Sequence, residues 1–109
     1  MNAPVWLAAI LTTIGAMSAH ALEIDLPGEE QRIEAAYTCE NGTKLDVEFI
    51  NVGENSLAVV RIDGADPLVF ANVIAASGAR YTGGVYELWE ARGEVTFTKA
   101  GEDPTTCKP

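Results

Sequence analysis

The sequence predicts an all-β fold, a small antiparallel barrel or sandwich, and three observations carry that prediction. Past Ala36, runs rich in β-branched and aromatic residues recur about every ten residues, with Gly, Asn, Asp or Pro between them. No segment after Ala21 carries an apolar stripe at helical spacing. The two cysteines, Cys39 and Cys107, lie near the two ends of this region, and in an oxidising compartment a lone pair most simply forms one disulfide. Such a bridge ties the first strand of the domain to the last. Those strands are neighbours in an up-and-down sheet only if the sheet closes, which favours the barrel over the sandwich.

Taken in order, Met1–Ala21 holds no Lys, Arg, Asp or Glu, and its apolar run from Val5 to Ile14 is followed by the small-residue exit Ala19-His20-Ala21. This is the pattern of a secretory signal cleaved after Ala21. A transmembrane anchor is the rival reading, but the apolar stretch is shorter than the roughly 20 residues a spanning helix needs. No Cys follows the small residues, so no lipid attachment at a mature N-terminal cysteine is expected. The product is expected to be exported, soluble and periplasmic, with no membrane span after cleavage.

Cleavage leaves all 16 acids and all 7 bases in place, so the formal charge of −9 is kept, while the one histidine, His20, departs with the signal. Without His there is no Ser-His-Asp triad, no Cys-His pair and no ordinary His-bearing zinc site. The acidic balance argues against nucleic acid and against anionic membranes, and it suits a basic partner. Leu22–Pro109 is enough chain for one small domain, marginal on its core alone, for which a disulfide is the natural remedy.

Residues 22–35 are acidic, with Pro27-Gly28 and Glu29-Glu30 and no convincing strand pattern, and are expected to form an arm or a strap over the barrel edge. Ile33-Glu34-Ala35-Ala36 adds a helical turn or leads into a strand. The domain proper is read as 36–109. Its first strand, Tyr37–Glu40, meets the hairpin signal Asn41-Gly42. Lys44–Asn51 then alternates Leu45, Val47 and Phe49 with Lys44, Asp46 and Glu48, a half-buried antiparallel strand. Leu57–Asp63, Leu68–Ala76, Tyr86–Glu90 and Glu94–Lys99 follow, and a last short segment carries Cys107. Val60, Ile62, Leu68, Phe70, Leu88, Val95 and Phe97 complete the expected interior.

Sixteen carboxylates invite a glycosidase reading, yet no pair is placed by the sequence. Asp46 and Glu48 share one strand face, which is equally what a solvated face looks like. Asp63-Gly64-Ala65-Asp66 falls short of calcium-loop spacing, and Gly83-Gly84 lacks the Lys and following helix of a phosphate loop. No metal, nucleotide or other cofactor is indicated, and no enzyme activity is expected.

The stretch Ser77-Gly78-Ala79-Arg80-Tyr81-Thr82-Gly83-Gly84 is different. It places a hydroxyl, a guanidinium and an aromatic ring on a turn-forming segment after an apolar run, and loops on rigid scaffolds are where binding residues concentrate. Arg80 is a bidentate donor suited to carboxylates, and Tyr81 is a stiff, amphipathic interface residue. Trp89 is either a core plug or a second contact.

At these residues the chain resembles the family of inhibitors of C-type lysozyme, whose members are membrane-bound lipoproteins or periplasmic proteins. The resemblance rests on Tyr37-Thr38-Cys39, on Ser77-Gly78-Ala79-Arg80-Tyr81, on the spacing of Tyr81, Gly84 and Trp89, and on the closing Cys107, and it covers Tyr37 to Cys107. It implies an eight-stranded antiparallel β-barrel closed by the disulfide, and a Ser77–Tyr81 loop inserted into the active-site cleft of the lysozyme. A retaining muramidase works with two carboxyl groups in a cleft, to which a hydroxyl and a guanidinium can hydrogen-bond. The basic charge common among C-type lysozymes matches the acidic chain. One departure stands out. The family follows its Trp with one residue and then Lys-Gly, whereas Trp89-Glu90-Ala91-Arg92-Gly93 has two residues before Arg-Gly, so the equivalent basic contact falls to Arg92. The expectation is a periplasmic proteinaceous inhibitor of C-type lysozyme; the alternative is an envelope glycan- or protein-binding barrel without inhibitory activity.

Overall fold

Turn residues between strand-forming runs produce an unbroken series of antiparallel hairpins, seen in a computed structural model that describes residues 23–109. The expected signal segment lies outside the described residues. The strands are β1 (Glu30–Cys39), β2 (Lys44–Val52), β3 (Asn55–Ile62), β4 (Leu68–Val73), β5 (Ala79–Gly83), β6 (Tyr86–Ala91), β7 (Glu94–Lys99) and β8 (Thr105–Lys108). Each pairs with the next, and β8 returns to β1, so the sheet closes into an eight-stranded barrel. Closure leaves no exposed sheet edge of the kind that templates aggregation. The disulfide joins Cys39 and Cys107 where they stand directly opposite each other across β1 and β8. The shortest pairing in the barrel therefore carries a covalent cross-link.

Alternation along each strand sends one set of side chains inward. Tyr37, Leu45, Val47, Ala58, Val60, Phe70, Tyr81, Leu88, Val95 and Phe97 fill the interior with the two half-cystines. Burying a side chain the size of Phe70 or Leu88, both fully covered, contributes about 2–3 kcal/mol each. Two aromatic groups stiffen this interior. Phe70, Tyr86 and Phe97 form a stacked ladder with centroid separations of 6.2 and 5.5 Å. Phe49 and Tyr81 meet tilted at 5.5 Å.

Several boundaries and burial assignments differ from the expectation. Glu30–Ala35 belong to β1 and not to the arm, because β2 is long enough to pair with β1 from Thr38 back to Glu30. Main-chain pairing, aided by Arg32 reaching Glu48 at 3.0 Å, holds residues whose side chains show no apolar alternation. Leu68 points into the mouth of the barrel and stays 40% exposed, and Phe49 and Ile62 are only partly buried against the core. Conversely, Ile50, Val52 and Val59 are buried on the outer face, packed with Leu57 and with Ile24 of the segment before β1. That segment thus covers an apolar patch, which a reading of β2 as apolar on one face alone misses.

Candidate functional site

In an up-and-down barrel alternate turns gather at the same end. The upper end collects the start of β1, the β2–β3 turn, the β4–β5 loop and the β6–β7 turn. Ser77, Trp89 and Arg92, far apart in the chain, are brought to this end by topology alone.

The loop from Ile74 to Gly78 is the longest excursion there, since β4 ends at Val73 and β5 begins at Ala79. Two contacts fix it. The indole Nε1–H of Trp89 donates to the carbonyl of Ser77 at 2.8 Å. Gly78 has φ +68° and packs so closely on β6 that a Cβ would collide with the carbonyl of Glu90 and lie 3.2 Å from both Ala91 Cβ and Trp89 Nε1. Only glycine satisfies both the left-handed backbone and the missing space. Ser77 is consequently exposed on a loop whose main chain is held from beneath.

Arg80, Tyr81 and Thr82 do not continue the loop; they are strand, paired with β4 on one side and β6 on the other. The anchor is Tyr81, which is 5% exposed, packs on Phe49 and brings its hydroxyl 3.5 Å from that of Ser56. An inward aromatic of this size commits its neighbours to the sheet, so the Gly-rich composition of the stretch gives way to tertiary packing. Tyr81 therefore braces the site from inside.

Arg80 points outward, directly opposite Trp89 in register. Its guanidinium lies over the indole at 5.7 Å from the ring centroid, and its Nε is 2.8 Å from a carboxylate oxygen of Glu87. That contact is an ion pair without hydrogen-bond alignment, since Nε has no hydrogen-bond partner. The Asn72 amide also donates to the Arg80 carbonyl at 3.2 Å. Arg80, Trp89 and Glu87 thus form an outer-face stack one step behind the Ser77 tip, with the Arg80 side chain 36% exposed. Trp89 is not a core plug: it is the strut between the Arg80 stack and the loop.

Arg92 occupies the tip of the β6–β7 hairpin with φ 58°, followed by Gly93 with φ 83°. Positive φ at both central residues is the type I′ arrangement that matches strand twist, and Glu90 steadies it by accepting a hydrogen bond from the Gly93 N–H at 3.1 Å. The two residues between Trp89 and Arg92 are therefore taken up in the strand and its turn, and Arg92 is exposed at the same end as Ser77. Burial, and second the negative charge of Glu90, raise the phenol pKa of Tyr37 above its ordinary value. It stays neutral at physiological pH.

Two further residues of this end carry little signal in the sequence. Ile74 is 95% exposed, a large apolar side chain offered to solvent beside Ser77. The run Val73-Ile74-Ala75-Ala76 reads as strand, and the only signal against it is that β4 loses its β3 partner after Ala71. In the sequence Glu90 is one acid among sixteen.

Elsewhere, the carboxylates considered for glycosidase chemistry lie on the outer face of β2. Glu48 is held by Arg32, and Asp46 stands opposite Arg61 in register, a cation-matched surface. Asn41 turns the β1–β2 hairpin, its side-chain oxygen accepting the Thr43 N–H at 3.0 Å. Among the described residues no group of three or more His, Cys, Asp or Glu could hold a metal, and no helix is long and apolar enough to cross a membrane.

Comparison with known proteins agrees with this geometry. The family described as "Membrane-bound lysozyme-inhibitor of c-type lysozyme" matches residues 37–106. A membrane-bound lysozyme inhibitor of C-type lysozyme from Pseudomonas aeruginosa is 48% identical over 77 residues, 66% of this chain and 61% of the relative. The chain thus spans about three fifths of that relative's length. A second relative of the same description, from Cupriavidus necator, is 41% identical over 93 residues, 82% of this chain and 74% of its own length. Among solved structures, Pseudomonas aeruginosa MliC, crystallised in complex with hen egg white lysozyme, superposes with a TM-score of 0.69 at 40% identity, covering 84% of this chain and 98% of that one. With half of its length and more matched, its disulfide formed and its barrel closed, the chain belongs to the family of membrane-bound lysozyme inhibitors of C-type lysozyme.

Proposed function

We propose that this protein inhibits C-type lysozyme without being an enzyme itself, by seating the Ile74–Gly78 loop in the active-site cleft with Ser77 foremost. The observation that carries the reading is the way the loop is held: Trp89 binds the Ser77 carbonyl and Gly78 is locked against β6, leaving the Ser77 side chain exposed. A loop ordered before binding loses little conformational entropy on docking, which is what a tight plug requires. The two carboxyl groups of a retaining muramidase accept hydrogen bonds from a hydroxyl and a guanidinium. Ser77 supplies the first, with Arg80 and Arg92 behind and beside it for the second. Ile74 adds an apolar contact at the rim. The work is done in the periplasm: the signal-like segment and the formed disulfide both fit export to an oxidising compartment.

The test is lysis of bacterial cell walls by hen egg white lysozyme in the presence of the purified exported protein, whose N-terminus is expected at Leu22. Wild type should suppress lysis, and Ser77→Ala and Arg80→Ala should each suppress it less while keeping the fold. Absence of suppression by the wild type at micromolar protein, about where weak specific binding begins, would sink the proposal. Unchanged potency in both variants would move the site off this loop.

A further inference from the structure

Beside the loop, the upper mouth of the barrel opens into a cleft of about 290 Å³ lined by Ile33, Tyr37, Phe49, Asn51, Tyr81 and Glu90. Its walls are largely aromatic and apolar, and a single ionisable acid, Glu90, stands among them. We infer that this mouth is a socket for one lysine or arginine side chain of the bound lysozyme, so that insertion is reciprocal: loop into enzyme, cation into barrel. The inference rests on the function proposed above.

Four observations support it. Glu90 lies on the inward face of β6, opposite Ala79 in register, and among the described residues no Lys or Arg ion-pairs with it, whereas Glu87 on the outer face of the same strand is held by Arg80. The aromatic walls suit the partner's cation, because a long cationic side chain packs its methylene stem on apolar surface and its head over ring faces. The charge of Glu90 is felt inside the cleft, where it helps to raise the Tyr37 phenol. Finally, the socket is continuous with the inserting loop, since Gly78 packs on the Glu90 carbonyl itself. An enzyme engaged by Ser77 stands over the mouth, and the basic charge common to C-type lysozymes supplies the occupant that a chain of net charge −9 attracts.

The experiment compares wild type, Glu90→Gln and Ile33→Trp in titrations against hen egg white lysozyme at low and high salt. Glutamine keeps an acceptor for the Gly93 N–H, so the turn is preserved while the charge is lost. Tryptophan at Ile33, which is 58% exposed, fills the mouth without disturbing the core. Glu90→Gln is expected to bind about tenfold more weakly at low salt, with a shallower salt dependence. Ile33→Trp is expected to weaken binding at both salt concentrations. Wild-type binding with both variants unchanged overturns the socket and leaves the loop standing. A loss in Glu90→Gln that is the same at all salt concentrations, with Ile33→Trp unaffected, also overturns it, because Glu90 then acts through the turn alone. Absence of wild-type binding overturns the function proposed above and the socket with it.

Discussion

The two ends of the barrel are built from the same kind of hairpin and spend their polar groups in opposite ways. At the lower end the turns satisfy themselves and one another: Asn41 accepts from Thr43 within its own turn, Asp63 of the β3–β4 turn accepts from the Lys44 N–H at 2.8 Å, and the Asn41 N–H reaches the Thr105 hydroxyl at 3.2 Å. The disulfide sits near these turns at the end of β1. At the upper end, side chains are used to hold main chain in place while leaving others outward. Trp89 supports Ser77, Glu90 supports Gly93, and Ser77, Ile74 and Arg92 are left to solvent. One end is arranged to keep the barrel shut and the other to present a surface. On the function proposed above, substitutions at the two ends should separate stability from recognition.

The largest effect is expected from opening the lower end. Replacing Cys39 and Cys107 together by Ser removes a cross-link spanning 68 residues, which in the chain-entropy model costs about 4 kcal/mol of stability. For a domain this small that is a large share of the total. Denaturant unfolding should show the midpoint falling steeply, and inhibition measured on the fraction still folded should keep its wild-type potency. A drop in potency matching the drop in stability would mean that the two ends are coupled after all.

A pair of glycines sharpens the contrast. Gly78 and Gly64 both have positive φ, +68° and +76°, but a Cβ at Gly64 meets nothing within 4 Å whereas one at Gly78 runs into Glu90 and Trp89. Gly64→Ala should cost about 1 kcal/mol of stability, the penalty for a left-handed alanine, and leave inhibition alone. Gly78→Ala must also push the Ser77 loop off its seat on β6. Its potency against lysozyme should fall by about a hundredfold, the scale of losing a central contact in a protein interface. Equal inhibition by the two variants would show that the loop tolerates displacement.

This contrast also explains what was legible in the sequence. The β1–β2 turn is local: Asn41-Gly42 announces a hairpin because Asn41, which makes the turn, also accepts the Thr43 N–H within it. The inward set around Leu45, Val47 and Phe70 was readable from alternation within single strands, and the closing role of Cys39 and Cys107, 68 residues apart, was readable because two cysteines leave one pairing. What escaped depends on partners distant in the chain. Glu30–Ala35 are strand because β2 is there to pair with them. Ile50, Val52 and Val59 are covered on the outer face by Ile24, more than twenty residues upstream of the first of them. Arg80 and Tyr81 leave the loop because Phe49 receives the Tyr81 ring. Periodicity reports on one strand at a time, and none of these facts belongs to one strand.

The smallest expected effect probes the upper end by pH. Tyr37 is buried, and burial first and the Glu90 carboxylate second hold its phenol pKa above the ordinary value, which is about 10. Because the folded pKa exceeds the unfolded one, the associated stability is fully present below the ordinary value and is lost as pH rises through the raised one. The slope is about 1.4 kcal/mol per pH unit between the two values. Unfolding measured from pH 8 to 11 should therefore show wild type losing stability at the alkaline end relative to Tyr37→Phe, which has no proton to lose. The onset is set by the unfolded phenol and should stay where it is in Glu90→Gln, while the total alkaline loss should shrink only in part, since the variant removes the second cause and leaves the first. A loss abolished completely by Glu90→Gln would make the charge at the mouth, and not burial, the dominant influence on Tyr37. A loss unchanged by it would place the carboxylate too far from the cleft to act there.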